Sequence, residues 1–116
     1  MSMNKIIILK LRETDRDIFE AIRSGKKKVE TRAGTERYSD ISVGTKVVFS
    51  CGSDKFEKEI KKVEKFKTIR ALVKKYKPAE INPRCKTEDQ LRDMYYSFQD
   101  YQEKIKKHGL VVMELK

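Results

Sequence analysis

Eight consecutive residues, Gly25-Lys26-Lys27-Lys28-Val29-Glu30-Thr31-Arg32, concentrate the groups best suited to chemistry in this chain. An extended backbone over 28–32 puts Lys28, Glu30 and Arg32 on one face and Val29 and Thr31, with Lys27, on the other. Glu30 and Arg32 are then neighbours, able to pair while the guanidinium keeps donors for a ligand. Gly25 permits a turn that other residues adopt only at a cost, which brings Lys26 and Lys27 to the same mouth. Two or three cations beside one carboxylate suit a phosphate or carbonyl group. The carboxylate either orients the arginine or accepts a hydrogen bond from a base or sugar edge. The run is not a P-loop, because the earlier glycine is missing and no Ser or Thr follows the lysine. In isolation, Lys-Lys-Lys is the kind of run that solvates a surface.

The elements that must position these residues are legible from periodicity. A strand is expected over 5–11, rich in Ile and Leu. Thr14 opens a helix with Asp15 and Asp17 in its first turn and Ile18, Phe19 and Ile22 at helical spacing, and Ser24-Gly25 stops it. The polar stretch 33–44 reads as a loop in which Tyr38 and Ile41 reach inward. Strands over 45–51 and 55–67 form a hairpin around Cys51-Gly52-Ser53-Asp54, and the step from Ile60 to Val63 breaks alternation, which predicts a β-bulge. Thr68 caps a short helix carrying Ile69, Leu72 and Val73. Pro78 and Pro83 bracket a loop. Thr87 to Gln90 has capping-box spacing and opens one helix whose stripe is Leu91, Met94, Tyr95, Phe98 and Ile105. Its aromatics, Tyr95, Phe98 and Tyr101, read as core-facing rather than as a stacking platform. Gly109 ends that helix and a strand over 110–115 follows.

Composition narrows the classes of function. The chain has 116 residues, the size of one domain, with 28 Lys and Arg against 18 acids and a formal charge of +10. A pI near 9.6 makes a polyanion, nucleic acid first, the natural partner. The longest apolar runs, Ile6–Leu9 and Leu110–Met113, fall far short of the ~20 residues of a membrane helix. No basic-then-apolar leader opens the sequence, so the reading is cytoplasmic. Cys51 and Cys85 lack metal-ligand spacing and read as reduced thiols, and His108 stands at a helix end without a nucleophile motif beside it. No metal and no cofactor are called for.

Gly25, Lys27, Glu30 and Arg32 reproduce the pattern GxKxxExR, and on these residues the chain resembles the ASCH domain family. The resemblance extends over the full length. The helix ending at Ser24-Gly25 precedes the motif, Ile41-Ser42-Val43-Gly44 leads into the strand at Lys46, and the hairpin, the helix from Thr68 and Gly109-Leu110-Val111-Val112 follow in family order. Gly44-Thr45 stands where the family often has Gly-Asp. The resemblance implies an α+β fold: a PUA-like mixed β-barrel of about five to six strands with helices packed on the outside, one domain over 1–116. It further implies binding of RNA, or a nucleotide-like ligand, in a cleft between barrel and helices. Lys27, Glu30 and Arg32 would line that cleft and Gly25 would shape the turn, with Lys26 and Lys28 as basic neighbours. The lysines of the hairpin and the following helix, among them Lys58, Lys61 and Lys65, can track a phosphate backbone, although Glu57, Glu59 and Glu64 are interleaved with them.

A second class stays open. Small stand-alone ASCH proteins similar to this one include amidohydrolases acting on N4-acetylcytidine, which use the motif lysine, a threonine three residues later and a distant glutamate. Here Lys27 matches, Glu30 occupies the threonine position with Thr31 one residue later, and Glu80 is the match for the distant glutamate. Lys27, Glu30 and Glu80 form the catalytic set if the chain is an enzyme, and a ribonuclease is a related possibility. An adaptor for another protein ranks last, since the sequence offers no evident exposed apolar patch.

Overall fold

Strand β5, Leu110–Leu115, is buried along almost its whole length because both of its faces are covered. Val111, Met113 and Leu115 point into one hydrophobic cluster and Leu110 and Val112 into another, the alternation a pleated strand imposes. The structure, a computed structural model, describes residues 5–116. The reading that no leader opens the sequence falls in part on residues 1–4 and lies outside the described residues.

Four further strands surround β5: β1 (Ile6–Leu11), β2 (Val29–Ala33), β3 (Lys46–Cys51) and β4 (Asp54–Phe66). Their order across the sheet is β1-β3-β4-β5-β2, with β1 parallel to β3 and the other pairs antiparallel. The sheet curls into a half-barrel left open between β1 and β2, a mixed α+β architecture with five strands among the described residues and helices packed outside. The hairpin joining β3 to β4 turns on Gly52, whose φ of +58° suits a two-residue connection. The expected bulge lies between Ile60 and Lys62, and it lets Ile60 and Val63 serve the same cluster.

Helix α1 (Arg16–Arg23) plugs the concave side with Phe19 and Ile22, both fully buried. A one-turn 3-10 helix, Glu13–Asp15, precedes it, so the helix proper starts two residues after the expected Thr14. The convex side of β2 and β5 carries α2 (Ile69–Val73), α3 (Pro78–Ile81), α4 (Glu88–Tyr96) and α5 (Tyr101–His108), packed through Leu72, Ile81, Leu91 and Ile105. Thr68 and Thr87 cap α2 and α4, accepting from Ala71 N and Gln90 N. Cys51 and Cys85 are free and buried, and burial raises both thiols.

Two expectations are corrected here. The stretch between the prolines contains helix α3, opened by Pro78 at its first position, where the missing N–H costs nothing. The single helix expected from Thr87 to His108 is two helices separated by Ser97–Asp100, with Asp100 in the left-handed region at φ 60°. Both flanking tyrosines anchor on β2: Tyr95 shares a hydrogen bond with Thr31 Oγ1, and Tyr101 Oη accepts from Ala33 N at 3.0 Å. In one continuous helix these residues would lie ~9 Å apart and about 240° around the axis, so only one could face the strand. The break brings their rings within 6.1 Å and nearly parallel.

Candidate functional site

The turn that delivers the motif starts at the end of α1. Ser24 N and Gly25 N donate to Glu20 O and Ile22 O, Gly25 sits at φ +85°, and Lys27 N then donates back to Ala21 O at 2.9 Å. This last bond holds Lys27 before the start of β2, outside the alternation of the strand. Its side chain therefore folds over to the face of Glu30 and Arg32, against the opposite-face placement expected of an extended 28–32.

The outcome is a charge triad in which Lys27 and Glu30 are buried and Arg32 is half-buried. Glu30 Oε1 lies 2.9 Å from Arg32 Nη1, 3.7 Å from Lys27 Nζ and 2.9 Å from the Thr31 N–H that donates to it. Arg32 Nη1 also donates to Thr31 O at 2.8 Å, and Lys27 Nζ donates to Val29 O. Burial works against ionisation of Glu30, but Lys27 and Arg32 outweigh it and hold the carboxyl below its ordinary value. Burial pushes the Lys27 amine down, and the pull of Glu30 offsets this only in part. The Thr31 N–H bond and the nearest approaches of Arg32 and Lys27 all fall on Oε1, and among the described residues no hydrogen bond reaches Oε2.

These residues form one wall of a cleft of about 450 Å³ between the sheet and the helices. Lys27, Glu30, Thr31 and Arg32 line it from β2 and its lead-in. Arg12 and Asp15 line it from the lead-in to α1, Ile18 from α1 itself, and Asn82 and Arg84 from the segment after α3. Tyr95, Phe98 and Tyr101 complete it. Arg84 ties two of the walls together: Nη1 donates to Asp15 Oδ1 at 3.0 Å, Nε to Asp17 Oδ2 at 3.1 Å and Nη2 to Thr14 O at 3.2 Å. The cleft thus offers an open carboxylate oxygen, a guanidinium and an aromatic side, a set able to hold a flat polar ligand by its edge.

The other residues singled out in the sequence lie elsewhere. Lys26 and Lys28 are exposed, and Gly25 lines a separate basic depression with Lys28, Lys58 and Lys61, whose shared wall with the cleft is Lys27. Glu80 is not brought to the cleft. It is exposed on α3, where its carboxylate accepts from Lys77 N at 2.9 Å as part of the helix start. Thr31 does line the cleft, but its hydroxyl is engaged by Tyr95. Sequence reasoning missed Arg12, Arg84 and Phe98. Phe98 carries a visible signal, its place on an aromatic stripe, but helical spacing assigns that stripe to the core, whereas Phe98 is 42% exposed beside buried Tyr95.

No family model matches the chain, and no curated protein matches it. Solved structures do. The chain is similar to the crystal structure of the hypothetical protein PH0355, at a TM-score of 0.79 and 24% identity over 98% of each chain. It is also similar to the solution structure of PF0455 from Pyrococcus furiosus, at a TM-score of 0.72 and 26% identity over 98% of this chain and 96% of that one. Neither protein carries a functional name, and the likeness is one of fold over the whole length.

Proposed function

We propose that this chain is an ASCH-type module that binds RNA, or a nucleotide-like ligand, in the cleft between the half-barrel and its helices. The observation that carries the reading is the Glu30–Arg32 pair: one carboxylate oxygen saturated, the other open, and a guanidinium held beside it. A base edge presenting a donor next to an acceptor matches that pair, with Oε2 accepting and Arg32 donating. Lys27 keeps the carboxylate ionised, and the excess of cations over the chain supplies long-range attraction to a polyanion. Fluorescence anisotropy with a labelled single-stranded RNA at modest salt tests the reading. Arg32→Ala and Lys27→Ala are expected to weaken binding at least ten-fold with folding retained. Absence of any affinity for RNA or nucleotides in the unmutated protein overturns it.

Hydrolysis is the second reading, favoured by one observation: the Lys27 amine is buried, its pKa lowered, on the wall of a ligand-sized cleft. Such an amine can serve as a general base. The threonine and glutamate of the amidohydrolase pattern are not its partners here, since Thr31 is bonded to Tyr95 and Glu80 lies on α3. Turnover of N4-acetylcytidine that disappears in Lys27→Ala would make this the better reading.

A further inference from the structure

Arg32 lines three depressions, not one. The first is the cleft. The second, a more open trough, shares Arg12, Asp15, Arg32, Ser97 and Phe98 with the cleft and extends to Lys10 and Gln99. The third shares Lys10 and Arg32 with the second and continues to Ile8, Arg37 and Tyr38. One after another they form a path along the open seam of the half-barrel, where β1 and β2 have no ladder between them among the described residues.

Two features of this path point to a ligand longer than the cleft. The first is Phe98, which belongs to both the cleft and the trough. It packs edge-on against Tyr101 at 5.4 Å and 83°, which fixes the ring, while 42% of the residue stays exposed. The break between α4 and α5 is what lifts it out of the core, since Tyr95 and Tyr101 on either side are drawn down onto β2. A rigid, half-open aromatic ring at the lip of a polar cleft is suited to stacking on a second planar group. The second feature is charge. Lys10, Arg12, Arg32 and Arg37 follow the path, and Lys10 has no carboxylate partner among the described residues. Arg37 reaches across the seam to Ile8 O at 2.5 Å, so its cation is held over the gap.

We propose that a single strand of nucleic acid leaves the cleft along this seam. The base next to the bound nucleotide stacks on Phe98, and its phosphates pass Arg12 and Lys10. The inference rests on the cleft being a nucleotide site and adds what the cleft alone does not specify: an internal stretch of unpaired strand as the ligand, not a free nucleotide. Bases within a duplex have both faces covered by their neighbours, so a platform of this kind selects unpaired strand.

The test is a titration of the full chain with a labelled single-stranded RNA hexamer of random sequence, a duplex of the same length and a mixture of the four nucleoside monophosphates. The hexamer is expected to bind at least ten-fold tighter than the monophosphates and than the duplex. Phe98→Ala should weaken the hexamer about 5- to 150-fold, the range for loss of one stacked base. It should weaken the monophosphates at least five-fold less than the hexamer, Phe98→Tyr should restore the hexamer, and Lys10→Ala, outside the cleft, should leave monophosphate binding within two-fold. Lys10→Ala should reduce the salt slope of hexamer binding by about 0.7, one phosphate contact on a single strand. Monophosphates that bind as tightly as the hexamer overturn the seam while leaving the cleft reading intact, as does a Phe98→Ala loss shared equally by both ligands. A duplex that competes equally overturns the selection of unpaired strand. If an acidic peptide binds and no nucleic acid does, both readings fall.

Discussion

Lys27 Nζ stands 3.7 Å from Glu30 Oε1, with 2% of one side chain and 10% of the other exposed. Arg32 shares the same oxygen, so a single buried carboxylate compensates two cations. Removing the anion leaves both uncompensated, and Glu30→Ala is expected to cost about 3–5 kcal/mol. Lys27→Met removes a charge that burial already disfavours. It should leave stability within about 1 kcal/mol of the unmutated protein, or raise it, while ligand binding falls. Urea denaturation of the three proteins checks both. A loss below ~1 kcal/mol for Glu30→Ala would mean that water reaches the triad in solution.

Acid stability is set in part on the far side of the sheet. Glu64 takes hydrogen bonds from Lys75 Nζ at 2.7 Å and Tyr76 Oη at 3.2 Å, and Lys62 Nζ lies 2.9 Å away. Lys75 foremost, with Lys62, lowers its pKa from 4.5 to about 2. The folded carboxyl is the stronger acid, so the unfolded chain takes up its proton first as pH falls. This contribution is complete above pH 4.5 and disappears as pH drops towards 2, and Glu30 acts in the same direction. Urea midpoints measured from pH 7 to pH 2 should fall through that window, and Glu64→Gln should start lower and fall less.

The hydrogen bond between Thr31 Oγ1 and Tyr95 Oη fastens α4 to β2 inside the second hydrophobic cluster. Tyr95→Phe leaves the threonine hydroxyl buried without its partner, at a cost of about 1–3 kcal/mol. Thr31→Val together with Tyr95→Phe removes both polar groups and should recover part of it. A double-mutant cycle by chemical denaturation measures the coupling; strict additivity would sink the assignment.

Asp100 holds φ 60° without a side-chain capping bond to α5. Asp100→Gly relieves the left-handed strain and should change stability by no more than about 1 kcal/mol, in the favourable direction. Asp100→Val should be clearly destabilising, because a β-branched residue tolerates that region worst. Thermal denaturation of the pair reads the sign.

The strands, the bulge and the caps on α2 and α4 were legible because each follows from local chemistry: alternation around Val47 and Phe49, a parity break after Ile60, a threonine at the right spacing. The helix break at Ser97–Asp100 was not, because periodicity continues through it. Its cause is tertiary, the demand that Tyr95 and Tyr101 both reach a strand some seventy positions earlier in the chain. The candidate site divides in the same way. Glu30 and Arg32 pair as strand alternation dictates, whereas the fold-over of Lys27 depends on a backbone bond to Ala21 that no motif encodes. Arg12, Arg84 and Phe98 come from three separate elements, and only the closed fold makes them neighbours.

The pairing of β2 with β5 joins Val29 to Glu114 and Ala33 to Leu110, and among the described residues β2 has no other ladder. During synthesis, the segment bearing Lys27, Glu30 and Arg32 therefore emerges before β3 and β4 and yet finds its strand partner only after them. Until β5 appears, the triad has no sheet to be buried in and its charges stay solvated. The sheet that buries the triad is complete only once β5 is in place, so a chain that stops short of β5 would carry the whole motif without its burial.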